Sequence, residues 1–501
     1  MRLNLPKQTA TDEPLLEKQY YFWFAMMLIK SLHICLAPDF VLFDKLLIGI
    51  FCVLIIINIQ RPVELMYLFI ATYFCDTRDW FSRHALVDAG GTRILFLDFF
   101  FSLFIVLTIL KLLTDRRMNR FYMLGLFVVI TIFWMMNFVQ GLMSGPVGSV
   151  IGEARFYFAS VFVIAGASMY RHRPEHALRK FAAIVSLCSI NAAFYLVAMI
   201  ITGTSEEEGR FNPGNSEAEV MFFGLLLIFL DFLYKTKLHV LRSNHGILIA
   251  VYIGLVFVTG VRTVILMTAV TSFYFLFLSP RLTILKKVGI VVAALVAGVI
   301  AVQLEPVQKV LDTQTEYINI MQGKGNKHNR TTADFRKLMW GVFWEKLTSS
   351  PQRMLLGRPF SNEMIDIRSI GWDYKDSGKF VDNSLAHNDF IAISMTNGLV
   401  FTSLLLIFYF GYSIQAFRLA RRAPDLGPML IFMGCVLFFQ VLQSGTNAEI
   451  KHYGFSITLW FHVGLMAAAF NHVSARKKKV PNYEDSQDQH RNALLQPGAV
   501  H

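Results

Sequence analysis

The chain has 501 residues, of which 54% are hydrophobic, 16% are charged and 46 are phenylalanine, and it carries a net charge of +12. Soluble globular proteins carry about 25% charged residues, so the composition excludes a cytosolic enzyme, a disordered chain and a porin. It predicts an all-α, polytopic integral membrane protein. The positive charge does not describe a nucleic-acid surface, because it falls in short runs between apolar stretches: 111–120, 171–180, 235–242, 281–287, 418–422 and 476–479. That is the pattern of cytoplasmic loops beside membrane helices, and no nucleic-acid partner is expected.

Residues 1–19 are polar and lack the apolar core and small-residue cleavage site of a signal peptide, so they predict a cytoplasmic N-terminal segment before a retained first helix. Apolar runs follow at 20–37, 40–59, 63–75, 94–112, 121–140, 154–170, 179–201, 220–234, 246–260, 262–279 and 286–303, giving helices 1–11 over 20–303. The run at 63–75 is the weakest, and a tilted or re-entrant piece is expected there because 76–93 is too polar to cross lipid. Three more runs, 387–413, 427–443 and 455–471, make helices 12–14 over 387–471. Fourteen spans are read, with twelve as the alternative, and either number puts both termini on one side. With the N-terminus inside, every basic run lands inside, which places 472–501 in a cytoplasmic tail. The five cysteines, Cys35, Cys52, Cys75, Cys188 and Cys435, lie in or beside apolar segments at spacings that suggest neither a disulfide framework nor a metal site.

One outer loop breaks the rhythm. Residues 304–386 are long enough to be functional, and from Thr332 to Lys346 the apolar Phe335, Leu338, Met339, Val342 and Phe343 recur at helical spacing. An amphipathic helix is expected there, lying on the outer leaflet or capping a cavity. Pro351, Gly357, Pro359 and Gly371 then mark turns.

Polar residues gather at four outer-face places: Gly209 to Asn215 with Arg210; the Gly260-Val261-Arg262-Thr263 turn; the loop helix with Arg336 and Lys337; and Asp382 to Asp389 with His387 and Asn388. Arginines offer a fork of donors suited to phosphate oxygens, and a histidine moves a proton near neutral pH. The set suits an anionic substrate such as a lipid-linked diphosphate. Each residue also has a plain structural use. Arg262 serves as a snorkelling interfacial anchor, Arg336 as solvated helix face, His387, Asn388 and Asp389 as a helix start, and Arg210 and Asn215 as a turn.

The Gly-Arg210-Phe-Asn-Pro-Gly-Asn215 stretch, the Gly-Val-Arg262-Thr turn, Arg336-Lys-Leu-Met-Trp340, Leu-Leu-Gly357-Arg358-Pro and Ala-His387-Asn388-Asp389-Phe-Ile followed by Asn-Gly398-Leu together resemble the bacterial O-antigen ligase and O-antigen or exopolysaccharide polymerase superfamily. The resemblance covers roughly 200–445 and extends to the arrangement of many helices, one large late loop and three closing spans. This chain departs from the family's roughly twelve spans, either by an additional pair in the N-terminal part or because the third and fourth runs are not spans, and in Val261, where serine commonly precedes the arginine.

The resemblance implies a GT-C-like fold in the bacterial inner membrane, with the active site facing the periplasm. The implied reaction is inverting, metal-independent glycosyl transfer from an undecaprenyl-diphosphate-linked oligosaccharide to a glycan or lipid acceptor, with no cofactor. Arg262 and Arg336, assisted by Arg210, would neutralise the diphosphate, and His387 would orient or deprotonate the acceptor hydroxyl. Asn215, Trp340, Arg358, Asn388 and Asp389 would bind substrate. Polymerisation of O-antigen, capsule or exopolysaccharide repeats is favoured, beside ligation to a lipid A core or protein. A flippase and a chain-length regulator are implied partners. Asp382 or Asp389 as the base is the acid-pair alternative, and Glu206 to Glu208 read as a solvated turn better than as a metal site. The rivals from other classes are a transporter of lipid-linked sugars, drawing on Lys30, Asp44, Lys45, Asp98, Glu153 and Arg155, and a non-catalytic scaffold.

Overall fold

The computed structural model describes residues 15–37, 41–76, 81, 85–89, 92–114, 121–170, 173–203, 215–241, 244–259, 261–279, 282–289, 332–360, 365–366, 380–381, 388–445 and 453–479. The expected span 286–303 beyond residue 289, the first part of the large loop and the tail after residue 479 lie outside these residues. The fold is α-helical. Among the described residues, five helical stretches are long and apolar enough to cross a membrane: Leu124–Ser144, Val147–Ser168, Pro174–Thr202, Asp389–Ala420 and Gly427–Ser444. Shorter apolar helices join them at Pro62–Phe74, Phe96–Leu110, His245–Val258 and Thr263–Leu278. Two short antiparallel hairpins, β1 (Ala85–Ala89) with β2 (Thr92–Leu95) and β3 (Ile365–Asp366) with β4 (Phe380–Val381), are extended elements that the sequence did not announce.

The chain divides into two compact units. The first comprises residues 1–96 and 175–261. It holds α1 (Lys18–Leu36), α2 (Val41–Asn58), α3 (Pro62–Phe74), most of α8 (Pro174–Thr202), α9 (Asn215–Tyr234) and α10 (His245–Val258). Thirteen residues of helix rise about 20 Å, short of the roughly 30 Å hydrocarbon core, and α3 is buried along Glu64–Ile70 and Thr72–Phe74. The weak third run is thus a short helix wrapped in protein. Its Glu64 accepts from the Tyr20 hydroxyl at 2.6 Å and pairs with Lys180 at 2.5 Å, while the Lys180 ammonium sits 4.7 Å from the Tyr20 ring centre. The buried charge of Glu64 is therefore paired, as the cost of burying it requires. After α9 the chain turns through Lys235 and Lys237, both at positive φ. The buried Asp231 carboxylate holds this turn by accepting from Thr236 Oγ1 and from the backbone amides of Leu238 and His239.

The second unit comprises residues 97–174 and 262–501. Its helices are α4 (Phe96–Thr114), α5 (Leu124–Ser144), α6 (Val147–Phe158), α7 (Val161–Met169), α11 (Arg262–Leu278), α12 (Thr332–Thr348), α13 (Pro351–Leu356), α14 (Asp389–Ala420), α15 (Gly427–Ser444) and α16 (Tyr453–Lys479). The expected run 154–170 is two helices, α6 and α7, meeting at Ala159 and Ser160. Helices α7 and α16 cross at Gly166 and Gly464, where a Cβ on Gly166 would stand 2.8 Å from the Gly464 Cα. Lipid offers helices no hydrophobic drive to associate, so such small-residue crossings supply close van der Waals packing instead. Helix α11 meets α15 through Tyr274 stacked on Phe438 at 3.8 Å, and the Tyr274 hydroxyl reaches Ser413 of α14 at 2.9 Å.

Candidate functional site

The amphipathic loop helix expected at 332–346 is α12. Its apolar row Met339, Phe343 and Leu347, spaced four apart to fall on one helical face, is fully buried against Met395 of α14. Val342, Ile391 and Leu399 fill in around them. The helix therefore caps protein. Phe335 and Leu338, expected on the same face, have side chains outside the described residues.

Helix α13 follows directly. Ser350 caps it by accepting from the Arg353 amide at 3.2 Å, with Pro351 at the first position. Gly357 ends it at φ 79°, ψ −150°. Facing it, α14 is broken at Gly398, with φ 76° and ψ 171°. Both conformations belong to a region that only glycine occupies without strain. The contacts are reciprocal. A Cβ on Gly357 would stand 2.5 Å from the Thr396 carbonyl and the Asn397 amide, and one on Gly398 would overlap the Leu355 carbonyl. Two bare backbones are thus pressed together, and the end of α13 is clasped into the break of α14.

Polar side chains from two further helices complete this clasp. Asn137 of α5 directs its amide at the Thr396 carbonyl, the Asn397 side-chain oxygen and the Leu356 carbonyl, at 3.0, 3.0 and 3.3 Å. The Arg358 amide donates to the same Thr396 carbonyl at 3.2 Å. Asn397 donates to the Tyr157 hydroxyl of α6 at 2.5 Å, and that ring is stacked between Trp134 and Phe360. The Arg358 guanidinium makes a two-pronged contact with Glu153 of α6, at 2.8 and 3.4 Å, and donates to the Pro359 carbonyl at 2.7 Å. A broken helix strips carbonyls of their intrahelical donors, and this network returns donors to the Thr396 carbonyl beside the break.

The sequence-predicted residues are distributed as follows. Asn388 caps α14 by accepting from the Ile391 amide at 3.1 Å, and Asp389, fully buried, sits in its first turn where the helix dipole favours an anion. The helix-start role is therefore real for both. Arg336 and Trp340 stand half-buried on α12, one helical step around from the buried row. Arg358 is in the clasp. These five share the second unit, and α12 and α13 both pack on the N-terminal half of α14. Arg262 opens α11; its side chain lies outside the described residues, as do Gly260, His387 and Arg210 altogether. Asn215 opens α9 in the first unit, and its side chain is likewise not described. Among the described residues no group of three or more His, Cys, Asp or Glu side chains is placed to hold a metal ion.

Sequence reasoning missed Asn137, Tyr157 and Thr396, and met Asn397 only as part of the Asn-Gly398-Leu stretch, with no role given to it. Two signals were present: an asparagine in the middle of the apolar α5, and an Asn-Gly turn pair at 397–398 inside an apolar run. Glu153 was noticed only as a possible transport group. No protein-family model matches the chain, and no curated protein is significantly similar to it.

Proposed function

We propose that the protein is a membrane glycosyltransferase that transfers a glycan from an undecaprenyl-diphosphate carrier at the periplasmic face of a bacterial inner membrane. The supporting observation is the seating of α12, which carries Arg336, on the N-terminal half of α14, whose first residues follow His387 directly. A cation suited to diphosphate and a residue suited to proton transfer come from segments about fifty residues apart in the chain, and the clasp at Gly357 and Gly398 fixes one segment on the other.

In this reading Arg336 and Arg262, with Arg210 assisting, neutralise charge growing on the leaving oxygen. His387 takes the proton of the acceptor hydroxyl. The acceptor oxygen bonds to the anomeric carbon as the bond from that carbon to the diphosphate breaks, and the polyprenyl diphosphate departs. Attack opposite the leaving group inverts the anomeric configuration. Diphosphate is a good leaving group, so neither a metal nor a protonating acid is required by this scheme. Trp340 and Asn215 would contact substrate; Asn388 and the buried Asp389, committed to the start of α14, would hold that helix end in place, and Arg358, committed to Glu153, would hold α13 in place. Repeat-unit polymerisation is the favoured form, with ligation to a lipid A core or protein as the alternative and a flippase and chain-length regulator as partners.

The test is purified protein in nanodiscs given a synthetic lipid-diphosphate repeat, with and without a lipid A core or protein acceptor, alongside Arg336→Ala and His387→Ala. A ladder growing by whole repeats without added acceptor, and absent in both variants, supports a polymerase. Product only with the second acceptor makes it a ligase. Activity that survives both substitutions refutes the site.

A further inference from the structure

Helix α12 has a second row beside its buried one. Arg336, Trp340 and Trp344 also recur every fourth residue, so they run along the helix in steps of about 6 Å. Arg336 and Trp340 are half-covered, while Trp344 is 53% exposed. Its neighbours on the same helix face are Gly341 and Thr348, both exposed; a Cβ on Gly341 would meet nothing within 4 Å, and the Thr348 hydroxyl donates to the Trp344 carbonyl at 2.9 Å.

That composition argues against a lipid anchor. An indole that dips into a bilayer belongs to a continuous apolar face, and the continuous apolar face of α12 is already packed on Met395. A flat, exposed aromatic ring beside bare backbone at Gly341 and a hydroxyl oxygen at Thr348 suits a sugar. The C–H face of a pyranose packs on the indole, and its hydroxyls find acceptors and donors alongside. The step of the row approximates the length of one sugar unit. We propose that Trp340 and Trp344 are successive sugar subsites for the donor glycan, which leaves its diphosphate end at Arg336 and runs along α12. The inference rests on the glycosyl-transfer reading and adds to it the path of the substrate chain.

The test places p-benzoylphenylalanine at position 344 of the full-length protein in its host cells, followed by irradiation and purification. Adducts that take a hydrazide label after periodate oxidation identify glycan and support the subsite. Adducts released as phospholipid, or no adduct, overturn it. In the nanodisc assay, Trp344→Ala should reduce the preference for multi-repeat over single-repeat donors about ten-fold, the contribution of one aromatic stacking contact, and Trp344→Tyr should restore it. Equal loss on both donors overturns the subsite while leaving glycosyl transfer intact. If the wild type turns over neither donor, the glycosyl-transfer reading fails on its own and the photo-adduct alone decides the subsite.

Discussion

The Arg358–Glu153 pair joins residues 205 apart in the chain, and its energetics can be worked from its surroundings. The side chains are 10% and 5% exposed. At the contact distance and an effective dielectric near 20, their attraction is on the order of 5 kcal/mol, most of it offset by the cost of desolvating both ions. The net contribution of the pair is therefore small, but removing one partner alone is strongly destabilising. Glu153→Leu should cost about 3–5 kcal/mol because it takes this carboxylate away from a buried guanidinium, and Arg358→Met should cost about as much because it takes the guanidinium away from the buried carboxylate. Replacing both, Glu153→Leu with Arg358→Met, should return stability to within about 1 kcal/mol of wild type. Reversible unfolding in mixed SDS micelles measures all four corners of this cycle, and the expected signature is a coupling energy of about 5 kcal/mol or more. Amide exchange over 351–360 should rise in either single variant, since the backbone bond from Arg358 to Thr396 remains but the side-chain anchor is gone. Additivity of the two substitutions within about 0.5 kcal/mol would refute the argument that this contact holds the clasp.

Other outcomes follow from particular contacts. Gly398→Ala combines a backbone region reserved for glycine with a clash against the Leu355 carbonyl, and should cost at least about 2 kcal/mol in the same unfolding assay. Gly464→Ala would put its Cβ 2.8 Å from the Val163 carbonyl and should lower stability by about 1–3 kcal/mol, whereas Gly254→Ala, whose Cβ meets nothing within 4 Å, should not lower it. His239, in the turn after α9, is held below its usual 6.5 by burial, and its Nδ1 accepts from the Leu241 amide. The unfolded chain then binds a proton that the folded chain refuses, so stability falls as pH drops through about 6.5 and towards the lowered folded value. Unfolding free energies between pH 8 and pH 5 should show this slope in wild type and less of it in His239→Gln; equal slopes would contradict the assignment.

The helical skeleton was legible because apolar run length is a direct consequence of bilayer thickness. The expected runs 427–443 and 246–260 match α15 and α10 to within two residues at either end, and the loop helix at 332–346 matches α12 because its buried row sits at an undisturbed four-residue spacing. The departures have physical causes. The run at 154–170 hid two helices, since hydropathy does not register a turn at Ala159 and Ser160 when both sides remain apolar. Helix α16 runs to Lys479, because long basic side chains favour helix and complement its C-terminal dipole.

The clasp was illegible for a different reason. Its members come from α5, α6, α13 and α14, and no spacing rule relates Asn137 to Asn397 across 260 residues. Sequence periodicity reports which face of an element is buried; it is silent about what that face meets. What sequence does carry is the cost that each element bears alone. An amide in an apolar helix, a carboxylate at Glu153 and an Asn-Gly pair in a membrane run are each unfavourable in isolation. These costs become tolerable where the chain folds together, because Asn137 and Asn397 partner each other and Glu153 meets Arg358. The loop anchored by that meeting is the one bearing Arg336 and the tryptophan row, so the residues that look wrong for a membrane helix are those that hold the candidate site to it.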